Sequence, residues 1–297
     1  MINNRPQEQR FELHWYPGHM AKWDREFNQH LQSVDVVIEV LDARMPLMSR
    51  HADIRNRVLQ RQKPLVTVLN KEDLADKQRL KAWLTYFEQQ EEQVLSVDAQ
   101  RNTQAKQAIL NAILKAGEPA QARWVAKGLK ARPIRTMMMG MPNVGKSSLI
   151  NGLIGKKKVM TGHKAGVTKQ TQWVRVHPQV ELLDSPGILP PKLEHQEAAH
   201  WLALVSSLGE AAFDDEEIAR FALAYFEEHY PHLLTHKYGC PPEAERLIPW
   251  SLERIALQTN LLKTGALPDV QRAAHRLLVD VRQGQLGGLC FELPPCD

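Results

Sequence analysis

Eight consecutive residues, Gly140-Met-Pro-Asn-Val-Gly145-Lys146-Ser147, have the types and spacing to cradle a chain of phosphates. They fit the pattern GxxxxGK[ST]. A strand-like run, Ile134–Met139, precedes them and a helix-like run, Ser147–Leu153, follows, which is the context this chemistry requires. The glycines let backbone N–H groups from Asn143, Val144, Gly145, Lys146, Ser147 and Ser148 turn toward phosphate oxygens, and the helix N-terminus adds its dipole. Lys146 brings a positive point charge to the outer phosphates, and the Ser147 hydroxyl can ligate Mg²⁺.

Three further groups extend the site. Asn70-Lys71-Glu72-Asp73 follows an apolar run and fits NKxD. A carboxylate such as Asp73 can accept from both the ring N–H and the exocyclic amine of guanine, a donor pair that adenine lacks. Asn70 can contact the base, and Lys71 can cover it and brace the phosphate loop. Ser96-Val-Asp98-Ala99 resembles the loop whose backbone meets the guanine oxygen, with a plain turn as the alternative. Asp184-Ser-Pro-Gly187 fits DxxG: Asp184 would hold Mg²⁺ through water, and the Gly187 N–H would sense the terminal phosphate. Thr168 is the candidate switch threonine completing Mg²⁺ coordination, with Thr161 and Thr171 nearby. An ATP-using phosphate-loop kinase or ATPase is disfavoured by NKED.

Alternating strand and helix patterns must position these groups. Strands are expected at Val34–Leu41, Pro64–Leu69, Val94–Val97, Ile134–Met139, Gln172–Val176 and Val180–Leu183. Helices are expected to about Leu31, over Arg50–Gln60, Asp76–Gln90 and Thr103–Lys115, with a basic linker from Gly117 to Arg132. This predicts an α/β fold, a mostly parallel sheet with helices on both faces and its ligands at the carboxyl ends of the strands. Beyond Pro191 helical periodicity takes over, predicting a smaller all-helical domain. The expected division is 1–190 and 191–297. Glu194–Leu208, Asp214–Glu228 and Pro268–Gln283 are its expected helices, the last with Arg272, Arg276 and Arg282 off the apolar face.

The 297 residues include 43% hydrophobic ones, enough for a large core, yet no apolar run approaches the ~20 residues of a membrane span. Three cysteines (Cys240, Cys290, Cys296) without metal-ligand spacing, and a polar start, predict a cytoplasmic chain; a monomer is expected. Charge is segregated. From Pro119 to Val180 there are twelve Lys or Arg and no acidic residue, including Arg123, Lys127, Lys130, Arg132 and Lys156–Lys158. From Glu181 to Tyr230 eleven acidic residues face two basic ones. Beside a nucleotide site, that basic excess and the arginines of the last helix predict RNA contact.

The order of the motifs is unusual. In ordinary GTPases the phosphate loop comes first; here NKED and SVDA precede it, so the chain is circularly permuted. Together with His14-Trp-Tyr-Pro-Gly-His19-Met-Ala-Lys22, Asp42-Ala-Arg44-Met-Pro46 and Glu227-Glu-His-Tyr-Pro231, this closely resembles the YlqF type, the ribosome biogenesis GTPase A family, over nearly the whole chain. The resemblance implies a GTP/GDP-binding hydrolase acting on a late large-ribosomal-subunit precursor and its rRNA, stimulated by the subunit, with an RNA-binding helical domain. A non-catalytic, nucleotide-gated RNA-binding module is the alternative. Ala165 departs from the proline usual before the switch Gly-x-Thr. Asn143 resembles the asparagine of potassium-stimulated GTPases, where its carbonyl could ligate K⁺; a residue holding the turn is the other reading. Many GTPases carry glutamine after DxxG, but here Ile188 stands there and cannot orient water. The family's candidate for that task maps to His19, with His163 as the rival.

Overall fold

The structure, a computed structural model, describes residues 11–12, 18–99, 103–155, 172–190, 192–193, 196–208, 213–239 and 249–295. Its centre is a six-stranded sheet built from β2 (Val36–Asp42), β3 (Leu65–Asn70), β4 (Val94–Val97), β5 (Ile134–Met139), β6 (Gln172–His177) and β7 (Val180–Asp184). The order is β4-β3-β2-β5-β7-β6, parallel except for β6, which forms an antiparallel hairpin with β7. The middle strand β2, Val-Val-Ile-Glu-Val-Leu-Asp, is buried at all seven positions, as a strand covered on both faces must be.

Alternation along β2 assigns the two faces. Val37 packs with Trp23, Phe27 and Leu31 of α1 (Gly18–Ser33) and with Ile54 and Val58 of α2 (Ala52–Gln60). Leu41 and Leu69 pack with Leu80, Trp83 and Phe87 of α3 (Lys77–Gln89). On the opposite face Val36, Ile38 and Val40 meet Ile109 and Ile113 of α4 (Thr103–Ala126) and Leu149 and Leu153 of α5 (Lys146–Ile154). Each of these wholly buried side chains contributes about 1.5–3 kcal/mol of transfer free energy.

The expected linker after Lys115 is corrected: α4 runs on to Ala126, across Gly117 and Pro119. A Cβ on Gly117 would lie 2.5 Å from the Ile134 side chain, so glycine permits close packing of α4 on β5. Ala120 is buried and Trp124 carries the Arg132 guanidinium on its ring, so packing outweighs the local cost of the proline.

A short strand β1 (Phe11–Glu12) pairs antiparallel with β8 (Lys192–Leu193), tying the N-terminal segment to the chain five residues after Gly187. Then follow α6 (Gln196–Leu204), α7 (Asp215–His229), α8 (Pro231–Tyr238), α9 (Leu252–Gln258) and α10 (Val270–Arg282). The buried face of α10 contains Ala273, Ala274, Leu277, Leu278 and Val281. It also buries Asp280, which accepts from Tyr238 Oη and Arg276 Nε and pairs with Lys237. The C-terminal segment does not stay with these helices. Leu289 bridges to Ala75, and Phe291 N donates to the Arg44 carbonyl, so residues 289–292 return to the sheet.

Candidate nucleotide site

Five motifs share one rim because their strands are parallel. Asp42 ends β2, Asn70 ends β3, Ser96 and Val97 end β4, Met139 leads from β5 into the phosphate loop, and Asp184 ends β7. At the hub is the Asn70 side chain. Its Nδ2 donates to the Val144 carbonyl at 2.8 Å, and its Oδ1 accepts from Ala99 N at 3.2 Å. One buried amide therefore joins the NKED, SVDA and phosphate loops. The contact explains Gly145: its φ is +101°, and a Cβ there would meet Asn70 Nδ2 at 2.1 Å. Bracing the phosphate loop thus falls to Asn70 and not to Lys71.

Lys71 instead turns back to Asp42, Nζ to Oδ2 at 2.8 Å, from a left-handed backbone at φ +65°. Asp42 also receives Arg44 Nε at 2.9 Å and Nη2 at 2.8 Å. Burial alone would raise the pKa of Asp42, but the Arg44 and Lys71 charges outweigh it and hold the carboxylate well below its usual range. Burial lowers that of Lys71, with Asp42 opposing. Arg44, itself buried, reaches the Val281 carbonyl of α10. Asp73 stays exposed on a 3-10 turn, Glu72–Leu74, at the same rim, and Asp98 is buried beside Ala99.

The C-terminal segment clamps this group from behind. Leu289 N donates to Leu74 O and Asp76 N to Leu289 O. Arg79 Nη1 reaches Cys290 O at 2.8 Å, and the Glu292 carboxylate accepts from Leu47 N and Met48 N. Sequence reasoning missed this strap, and it missed the roles of Asp42 and Arg44. The available signals were the Asp42-Ala-Arg44-Met-Pro46 motif and its pair of opposite charges at a strand end.

The phosphate loop is arranged differently. Lys146 is buried and folds onto the loop itself, Nζ donating to Gly140 O at 3.0 Å and Met141 O at 2.8 Å. Among the described residues neither Asp184 oxygen has a close hydrogen bond, and the Ser147 hydroxyl and the Lys146 amine are its polar neighbours, both favouring the carboxylate. Burial pushes the Asp184 carboxyl up and the Lys146 amine down, and their mutual attraction restrains both. Gly187 lies against the loop, where a Cβ would meet Pro142 Cα at 2.5 Å, and Ile188 N donates to Gly140 O. The Ile188 side chain is buried with Trp23 and Phe27.

Two loop residues reach the helical half. Asn143 Nδ2 donates to Ser206 O at 2.6 Å, and Ser207 Oγ donates to Pro142 O at 2.9 Å. Ser148 is half-buried in the first turn of α5. The three arginines of α10 divide. Arg272 is exposed, Arg276 is exposed and paired with Asp280, and Arg282 donates to the Ala203 and Leu204 carbonyls that end α6. Arg282 is therefore a helix-to-helix tie, because its side chain turns inward at the end of α10. Thr161, His163, Ala165, Thr168, Thr171 and Lys156–Lys158 lie outside the described residues. His19 is described only by its backbone, in the first turn of α1.

Comparison with known proteins agrees with this arrangement. The model of the family described as 50S ribosome-binding GTPase matches residues 135–230. Over 95% of its length the chain is 36% identical to ribosome biogenesis GTPase A of Bacillus cereus, covering 94% of that protein. It is 32% identical to mitochondrial ribosome-associated GTPase 1 of Mus musculus, over 95% of this chain and 91% of that one. The GNP-bound crystal structure of YlqF from T. maritima superposes with a TM-score of 0.61 at 28% identity, covering 93% of this chain and 100% of that one. Its permuted motif order and this sustained similarity place the chain in the ribosome biogenesis GTPase A family.

Proposed function

We propose that this GTPase couples GTP binding and hydrolysis to late assembly of the large ribosomal subunit, through contact with rRNA. The observation that carries the nucleotide part is the Asn70 side chain, which hydrogen-bonds the phosphate loop and the SVDA loop at once. Such a joint makes base recognition at Asp73 and phosphate binding at Lys146 parts of one rigid surface. The ribosomal part rests on what its relatives are and on the basic segment around Arg123 to Arg135. In this reading residues 1–190 form the nucleotide domain and 191–297 the helical, RNA-contacting one, with Arg272 and Arg276 as its contacts.

The residues present fit Mg²⁺. Asp184 offers two buried oxygens with no close hydrogen bond among the described residues, beside the Ser147 hydroxyl, a donor set suited to a hard cation. Bound there, Mg²⁺ would neutralise charge on the phosphates, held by Ser147 and Thr168, with Asp184 contributing through water. The Asn143 carbonyl is the K⁺ ligand in this reading, while its amide nitrogen holds Ser206. Protons are handled by His19 in this reading: β1 pairs with β8 five residues after Gly187, and Ile188 is committed to the core.

The test is GTP hydrolysis with and without purified large ribosomal subunits, in K⁺ and in Na⁺. Stimulation by subunits, with GTP preferred over ATP, is the expected result. Preference for ATP overturns the nucleotide assignment. GTP binding without turnover, even with subunits, leaves the nucleotide-gated binding module. Equal rates in both salts remove the K⁺ site.

A further inference from the structure

At the opposite rim of the sheet, where the parallel strands begin, three separate parts of the chain meet. The loop before β2 is joined to the loop before β3 by Lys63 Nζ on Val34 O at 2.6 Å and Val37 N on Pro64 O at 2.9 Å. It is joined to the start of β5 by Asp35 N on Arg135 O at 2.7 Å and by both Arg132 guanidinium nitrogens on Asp35. These ties bring Arg61 and Lys63, distant in sequence, to Arg123 and Arg132. Lys63 has its pKa lowered first by burial and then by Arg123, Arg61 and Arg132, with Asp35 opposing. Lys127 and Lys130 extend the cluster, both exposed beyond the end of α4.

Two tryptophans are interleaved with these charges. Arg132 lies over the Trp124 ring at 4.7 Å and Arg135 over the Trp173 ring at 5.4 Å. Trp173 stands on the antiparallel edge strand β6 opposite Leu183, toward the Asp184 end of the β6–β7 hairpin, and is 42% exposed, so the aromatic surface runs up the sheet edge from Arg135. Beside Trp124, Val125 and Leu129 are 60% and 47% exposed. Arg175, also exposed, is paired across β7 with Glu181, on the same rung as Arg135. Cations that follow a phosphate chain, spaced with flat rings that accept bases, are what unpaired nucleic acid requires.

We propose that this surface, from Lys127 and Lys130 across Arg61 at the strand-start rim and along the β6–β7 edge to Trp173, is a binding surface for an unpaired RNA segment, distinct from α10. The proposal rests on the rRNA reading above and names a place on the molecule for it. An acidic protein segment would use the cations but has no need of the tryptophans, which favours RNA.

The test uses the full chain with two probes, a twelve-nucleotide single-stranded RNA and purified large ribosomal subunits. The variants are Lys127→Glu/Lys130→Glu and Trp173→Ala, with Trp173→Phe as the conservative control. The charge-reversed pair should lose about tenfold or more in oligonucleotide affinity and flatten the salt dependence by about one unit of log–log slope. Trp173→Ala should lose about tenfold with the salt slope unchanged, and Trp173→Phe should retain most affinity. GTP affinity and hydrolysis without subunits should match the parent chain, which reports that the variants are folded. Parent-like affinity and salt slope in both variants overturn the rim. Loss of subunit binding alone, with oligonucleotide binding intact, assigns the rim to a protein and overturns the RNA assignment. A parent chain that binds neither probe overturns the ribosomal reading itself.

Discussion

The guanine side and the phosphate side of the nucleotide rim solve opposite problems. On the guanine side the polar side chains named above are matched: Asp42 by Arg44 and Lys71, Asn70 by two backbone groups, Glu292 by two amides. On the phosphate side Lys146 is turned onto loop carbonyls, and among the described residues both oxygens of Asp184 are buried with no close hydrogen bond. A matched network is rigid before any ligand arrives, whereas unmatched polar atoms cost free energy that a ligand can return. The base side of the rim is thus fixed by the fold, and the phosphate side is left for a ligand to complete.

Removing a group from either side should separate the two. Lys146→Ala is expected to have the largest effect. It removes charge-assisted bonds worth about 1.5–3 kcal/mol each, so GTP affinity should fall at least about a hundredfold while the melting temperature hardly changes. Tight GTP binding by this variant in equilibrium titration would contradict the asymmetry. Arg44→Ala should behave in the reverse manner. It strips the bidentate partner from a buried carboxylate, and denaturant unfolding should report a loss of about 3–5 kcal/mol. A variant as stable as the parent would mean that Lys71 alone suffices for Asp42.

Two smaller effects concern chemistry at the rim. Asp73→Asn should shift preference from GTP toward xanthosine triphosphate by about a hundredfold, since xanthine offers an acceptor where guanine has its amine. Competition binding with both nucleotides measures this, and an unchanged preference removes Asp73 from base recognition. His19→Ala should lower subunit-stimulated turnover by about a hundredfold with GTP affinity nearly unchanged. Normal turnover here together with loss in His163→Ala transfers the role to His163.

The smallest effect reads the C-terminal strap through pH. Burial pushes the Glu292 carboxyl from 4.5 up to about 7, against the pull of the Leu47 and Met48 amides. The folded chain therefore keeps a proton that the unfolded chain releases. Stability should fall as pH rises from about 4.5 to about 7 and level off above, and Glu292→Gln should flatten that portion of the curve. Thermal melts across this range give the answer, and an identical slope in both chains excludes Glu292 as its source.

Much of this was legible in local pattern. Ile134–Met139 and Val94–Val97 read as strands because short apolar runs flanked by turn residues have few alternatives, and α10 read as a helix from its 3.6-residue period. The extension of α4 was not legible: Gly117 and Pro119 are stop signals locally, and only the seat against Ile134 and the burial of Ala120 override them. Arg282 looked like a third surface charge until the end of α10 was set against α6.

What the sequence determined by itself is therefore chemistry that depends on neighbours along the chain: phosphate-loop spacing, NKED, DxxG, their permuted order and the parallel α/β class. What only the tertiary structure decided is partnership across distance. Asn70 bonds Val144, 74 residues away, and Arg44 bonds Val281, 237 residues away. Arg61 joins Arg123 and Arg132 at the far rim because Lys63 and Asp35 tie the loops before β2, β3 and β5. A hydrogen bond or ion pair needs its atoms within about 3 Å, and which distant residues come that close is set by the order of strands in the sheet, a property that no local run of residues encodes.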